Sequence, residues 1–178
     1  LWKNVYIENV TGGAGITFSG VLQTSMENVA FEACQTGIVM NAVSGFFVNC
    51  VFFGCGTGMY VSDGSVLVQG SVFLGDQFIN TSFGTGIVVT GPLANIDINS
   101  SEIGWCSTGV LIDDRARAKI CSCVFTHNTT GIVADHGSQL SALSCGFSQT
   151  TTLNVDVKGV STDPSSRQTH IHLVGCDI

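Results

Sequence analysis

A three-residue phrase recurs along this chain at nearly constant spacing, and it limits the fold more than any other feature. Thr-Gly followed by an aliphatic residue or Met stands at Thr36-Gly37-Ile38, Thr57-Gly58-Met59, Thr85-Gly86-Ile87, Thr108-Gly109-Val110 and Thr130-Gly131-Ile132. The glycines are 21, 28, 23 and 22 residues apart. Ala14-Gly15-Ile16 and Thr151-Thr152-Leu153 read as worn copies towards either end. A fixed period of this length marks an array of one repeated supersecondary unit.

A second marker precedes the phrase in each copy: Phe31, Phe52, Phe73, Ile103, Phe125, Phe147 and Ile178, with Gly12 in that place in a shortened first copy. Aligning on it produces apolar columns. Seven positions upstream the column runs from Val5 and Thr24 to Leu140 and Ile171; five upstream, from Ile7 and Met26 to Ala142 and Leu173. Two upstream it runs from Val10 and Val29 through Cys50, Ser71, Ser101, Cys123 and Cys145 to Cys176. After the Thr-Gly corner come Ile38 and Met40, Met59 and Val61, and so on to Leu153 and Val155. In and out alternate with period two, which is the strand signature. Three short strands per period, joined by Gly, Asn, Ser and Asp corners, make one coil. A coil leaves its edges unpaired; stacking coils about 4.8 Å apart pairs every strand with its equivalent. The spacing predicts an all-β single-stranded parallel β-helix of about eight coils, one domain over 1–178. A leucine-rich repeat has a similar period but needs a Leu-x-x-Leu-x-Leu pattern that this chain lacks.

The coil pattern Asn/Ser-Val/Cys-x-Phe followed by Thr-Gly-Ile-x-Val-x-Asp-Gly resembles that of the pectin-lyase-like β-helix superfamily, over essentially the whole chain. The resemblance implies a right-handed helix. It leaves function open among polysaccharide lyases, polygalacturonase-like hydrolases, epimerases, phage tailspikes and structural modules.

Charge narrows the partners. Six Lys or Arg against thirteen Asp or Glu give a net −7, which excludes a nucleic-acid groove and disfavours an anionic membrane surface. No apolar run approaches the roughly 20 residues of a membrane span. The opening LWKNVYIENV has no initiating Met and no apolar leader, so the expectation is one part of a longer extracellular or virion-surface chain.

Chemistry concentrates at one corner. Four and five residues past the corner glycine lie Ser62-Asp63, Asp113-Asp114 and Asp135-His136, with Asp156 expected in the next coil. Stacked carboxylates beside a histidine could supply general acid and base, or oxygen ligands to Ca²⁺. The string is similar to the polygalacturonase arrangement of Asp-Asp followed one coil later by Gly-His-Gly, here Asp135-His136-Gly137. That resemblance makes Asp113, Asp114, Asp135 and His136 the catalytic candidates. The family's Asn-Thr-Asp is missing, Asn80-Thr81-Ser82 being the nearest string, and so is its Arg-Ile-Lys. Asp-Gly pairs are also ordinary turn residues. Arg115, Arg117 and Lys119, half of the chain's Lys and Arg, alternate with Ala116 and Ala118 and are expected to face outward on one strand, as contacts for an anionic sugar. His170 and His172 also point out. No resident cofactor or metal is expected, Ca²⁺ entering only for a lyase.

Three further features bear on function. Inserted loops at about 74–84 and 157–168 enlarge two corners, and loops on rigid scaffolds often carry function. Outward apolar residues Val39, Tyr60, Val88, Leu111 and Val133, flanked by Thr17 and Asn154, form a ridge suited to side-by-side packing in a trimer or against a flanking domain. The inward columns Cys50, Cys123, Cys145, Cys176 and Cys34, Cys55, Cys106 read as reduced thiols acting as small hydrophobes, although equivalent Cα atoms lie within disulfide range. Asn9, Asn80, Asn99 and Asn128 begin glycosylation sequons. The resulting expectation is a non-catalytic β-helical module displaying loops to a glycan or receptor; the alternative is a lyase or hydrolase acting on an acidic polysaccharide.

Overall fold

A computed structural model describes residues 1–20, 23–75, 84–158 and 168–177. Every paired strand in it is parallel to its neighbour, as the stacked-coil reading requires. The second strands of successive coils form a seven-stranded sheet from Tyr6–Glu8 to Gly146–Ser148. The first and third strands are joined through the corners of Thr57–Gln69 and Thr85–Asn99, where the extended chain turns without a break. His170–Val174 adds the first strand of an eighth coil to seven complete ones.

The corners explain much of the composition. Every turn from first to second strand is made by one residue with left-handed φ: Asn4, Asn28, Asn49, Gly70, Ser100, Ser122, Ser144 and Gly175, at 49–60°. Asn and Gly occupy that conformation at least cost. The next inward residue closes the turn. Cys50, Cys123 and Cys145 donate their thiols to the carbonyl two residues back at 3.3–3.6 Å. Ser71 and Ser101 do the same with hydroxyls at 3.2 and 2.9 Å. Cysteine and serine therefore alternate in one column because both fill a small space and donate one hydrogen bond. All eight cysteines are free thiols.

The Thr-Gly phrase has a steric cause. A Cβ on Gly37, Gly58, Gly86, Gly109 or Gly131 would lie 2.5–2.6 Å from the carbonyl oxygen of the next coil. It would also press on the phenylalanine or isoleucine stack behind it. Phe31, Phe52 and Phe73 stack with centroids 4.9 and 4.5 Å apart and planes within 5°, and Phe125 stacks on Phe147 at 4.8 Å. Glycine is retained here for space, not for its backbone freedom.

Two register expectations are corrected at the ends. Ile7, not Gly12, stands opposite Phe31, and Trp2 stands opposite Met26. The first coil is thus not shortened: Ile7 to Phe31 is 24 residues. Gly12 and Gly13 lie in an open corner where an added Cβ would meet nothing within 4 Å, so they carry no core constraint. In the seventh coil Leu153 pairs with Thr130 and Val155 with Ile132. The worn copy is therefore Leu153-Asn154-Val155, two residues later than the spacing predicts. No further third strand covers Asn154 among the described residues, so the steric demand for glycine lapses there. In consequence Asp156, not Asn154, continues the outer ridge opposite Val133, and the acidic corner's next position is held by Lys158.

The ridge itself is in register from Thr17 through Val39, Tyr60, Val88, Leu111 and Val133. It is half-buried along most of its length, Val133 being only 6% exposed. Most of each inserted loop at 74–84 and 157–168, with Asn80-Thr81-Ser82 and Ile178, lies outside the described residues. No helix long and apolar enough to cross a membrane occurs among the described residues.

Candidate functional site

The acidic corner is built by two stacked turns. Thr108–Asp113 ends in Asp113, and Asp135 follows Thr130–Ala134. Asp114 and Arg115 both adopt left-handed φ (47° and 64°), as do His136 and Gly137 (43° and 74°). Asp113 Oδ1 accepts the Asp114 N–H and Asp135 Oδ1 accepts the His136 N–H, each at 2.7 Å. The Arg115 N–H donates to the His136 carbonyl at 3.1 Å, tying one turn to the next. Both aspartates thus hold their own turns, independently of any chemistry.

Both carboxylates also face the histidine. His136 Nδ1 lies 2.6 Å from Asp113 Oδ1 and 3.5 Å from Asp135 Oδ2. The Asp113 hydrogen bond, followed by the Asp135 charge, raises the His136 pKa above its ordinary value. Asp114 instead pairs with the Arg115 Nε at 3.3 Å. One ligating atom each from Asp113, Asp135 and His136 falls within a 4.8 Å span. Ca²⁺ takes about six to eight oxygens; two carboxylates already engaged by their turns and an imidazole do not fit it. The histidine side chain is 68% exposed, whereas those of Asp113 and Asp135 are partly buried, so the imidazole stands in water.

A second feature lies on the first-strand face beyond this corner. Outward side chains of four consecutive coils line an open groove of about 530 Å³. One column runs Asn95, Arg117, Gln139, His170; beside it run Asp97, Lys119, Ser141, His172. These residues stand on paired strands, so their spacing is fixed by the ladder. Arg117 and Lys119 enter the groove as expected. Arg115 does not: the strand begins at Arg117, and Arg115 sits in the turn with its guanidinium on Asp114. Asp113, Asp114, Asp135 and His136 do not line the groove; they lie in the turns that lead into it.

Sequence reasoning passed over Asn95, Asp97, Gln139 and Ser141. Their signal was the marker itself, since all stand eight or six residues before it. It also passed over Trp105 and His127. At the second corner their rings stack at 4.0 Å and 8°, and Thr126 Oγ1 lies 2.7 Å from His127 Nδ1. The sequons divide. Asn9 is exposed, whereas Asn128 is fully buried. The Asn128 amide donates to the Ile103 carbonyl at 2.9 Å, and its Oδ1 accepts the Cys106 N–H at 3.0 Å. It is a turn-closing residue in the second cysteine column and no acceptor for a sugar.

A family model described as "right handed beta helix region" matches residues 36–178. No curated protein and no solved structure matches the chain.

Proposed function

The chain belongs to the right-handed β-helix family, and from that premise we propose that it is a non-catalytic, glycan-binding module of a larger extracellular or virion-surface protein. The groove carries this reading. Arg117 and Lys119 offer charge-assisted donors to a carboxylate or sulfate, while Asn95, Gln139 and Ser141 offer neutral partners to hydroxyls. An open trough across several coils suits an extended chain better than a compact small molecule. Copies pack side by side, as a trimer, through the apolar ridge at Val39, Tyr60, Val88 and Leu111; only monomer in light scattering would sink that part.

Binding to a panel of acidic and neutral polysaccharides tests the main claim. An acidic glycan should bind and should lose about tenfold or more in the double variant Arg117→Ala/Lys119→Ala, while Lys3→Ala leaves affinity unchanged. Equal binding by all three proteins would overturn it.

The cluster of Asp113, Asp135 and His136 within 4.8 Å favours a second reading, a lyase or hydrolase acting on an acidic polysaccharide at the corner. Against it stand the turn roles of both aspartates and the exposure of the histidine, since a wet site weakens the electrostatic stabilisation catalysis needs. Release of reducing ends or unsaturated products, lost in both Asp114→Asn and His136→Ala, would make this the correct reading.

A further inference from the structure

We propose that the groove selects a heteropolysaccharide whose anionic sugars are flanked by neutral ones, and that Asp97 is the residue that enforces this spacing. The proposal rests on the glycan-binding reading of the same groove and names its substrate class. Lysine and arginine line the groove from a single coil, through Arg117 and Lys119. On one side of that coil, at the end of the groove, stand Asn95 and Asp97; on the other stand Gln139 and Ser141. Lys3, Arg115 and Lys158 each pair with a carboxylate, whereas among the described residues Arg117 and Lys119 form no ion pair. An extended pyranose chain laid along the columns advances per ring by roughly one strand spacing, about 4.8 Å. Each coil therefore faces about one sugar.

Asp97 decides what the ring next to the anionic one can be. It stands opposite Lys119 in the ladder, about one strand spacing away, yet the two side chains are not joined in an ion pair. Its carboxylate is half-buried on the groove wall and keeps its acceptor oxygens for a ligand. A carboxylate only accepts hydrogen bonds, so it takes the hydroxyls of a neutral sugar and repels a second carboxylate or sulfate. Asn95 beside it both donates and accepts, and suits the same neutral ring. On the far side Gln139 and Ser141 add hydrogen-bonding groups without charge. A polyanion charged on every ring must therefore set one charge against Asp97 when another sits on Arg117 and Lys119, or give up that end of the groove. A chain charged on every second ring meets no such conflict. Selection of this kind comes from repelling the wrong ligand, with no extra contact to the right one.

The test compares hexasaccharides of hyaluronan, in which uronates alternate with neutral N-acetylhexosamines, and of polygalacturonate, in which every ring carries a carboxylate. The intact protein should bind the hyaluronan fragment about fivefold more tightly, the size of one screened like-charge contact. Asp97→Asn should bring the two within about twofold by strengthening the polygalacturonate fragment. Glu102→Gln removes an exposed carboxylate from the second-strand sheet; it should leave the ratio unchanged and so controls for net charge. Arg117→Ala/Lys119→Ala should weaken both fragments. Polygalacturonate bound as tightly as hyaluronan or more so, with both weakened in the cationic double variant, would overturn the selection and leave the glycan reading standing. A preference for hyaluronan that survives Asp97→Asn would overturn the role given to Asp97. Binding of neither fragment, or binding indifferent to Arg117 and Lys119, would sink both readings together.

Discussion

The two faces of the first-strand sheet carry different kinds of information, although the same strands make both. Inward, Ala118, Leu140 and Ile171 follow one another in one column and Ile120, Ala142 and Leu173 in another. Outward, Arg117 gives way to Gln139 and then His170, and Lys119 to Ser141 and then His172. In these three coils the interior varies in size but stays apolar, because each residue must stack on its equivalent and fill the space between coils. At these outward positions the chemical class changes from coil to coil, since the ladder places no demand on it. A repeat fold of this kind hides its function in the positions that fail to repeat.

The sharpest way to break this contrast is to move substitutions across it. Phe52→Ala removes the middle of a three-ring stack that is wholly buried. It should cost about 3–5 kcal/mol, read from the urea midpoint, whereas Gln139→Ala should stay within about 0.5 kcal/mol. Gly109→Ala comes next. Its methyl would stand 2.5 Å from the Gly131 carbonyl oxygen and 3.1 Å from Phe125. A backbone oxygen held in a ladder cannot yield readily, so a loss of about 1–3 kcal/mol is expected. Equal costs inside and outside would undo the comparison.

Thiol chemistry sharpens the same contrast at smaller effect. Burial pushes Cys55 and Cys106 up to about 11 and Cys123 up to about 12. The thiolate is the reactive form, so these three should resist alkylation near neutral pH in the folded protein. Cys121, two residues from Cys123 but on the outer face, should be labelled first. Mass mapping of an alkylation time course reads the order directly, and early labelling of Cys123 would mean that the coil opens locally.

Arg115→Gly runs the other way. Arg115 holds a left-handed φ of 64°, which costs a residue with a Cβ roughly 1 kcal/mol, while its exposed pair with Asp114 is worth little. The variant should raise stability by up to about 1 kcal/mol, with no loss of glycan binding. A fall in binding would show that the guanidinium reaches into the groove after all.

How far the sequence was legible follows from the same division. The strands, their order and the columns could be read because stacking forces Phe over Phe and Thr-Gly over Thr-Gly. The reading slipped where that force is absent. Gly12 lies in an open corner, and Asn154 has no described third strand above it, so neither is held to the pattern. Asn128 misled for a related reason: a sequon is a local string, and only the neighbouring coil reveals that the amide is buried and fully bonded. The groove was half legible. Arg117 and Lys119 stood out by charge, but their neutral partners come from coils 22 or more residues away and become neighbours only once the ladder is known. Asp113 and Asp135 were noticed as acids, whereas the structure gives each a turn to hold.

The smallest effect concerns that corner and separates a structural pair from a working one. The hydrogen bond to Asp113, then the Asp135 charge, stabilises the imidazolium of His136, so its folded pKa lies above the unfolded one. The sign follows from linkage. Protonated histidine is favoured in the folded state, so the contribution is fully present below the unfolded pKa, near 6.5. It is lost as pH rises through the higher folded value. Titration of the His136 ring by NMR should show the raised value in the intact protein, and Asp113→Asn should move it back towards the ordinary one. The histidine is largely exposed, so the stability change should be slight while the titration shift is plain. If Asp113→Asn left the His136 titration unmoved, the imidazole would not be held by that carboxylate in solution. The two stacked turns would then be joined by backbone bonds such as that from the Arg115 N–H to the His136 carbonyl.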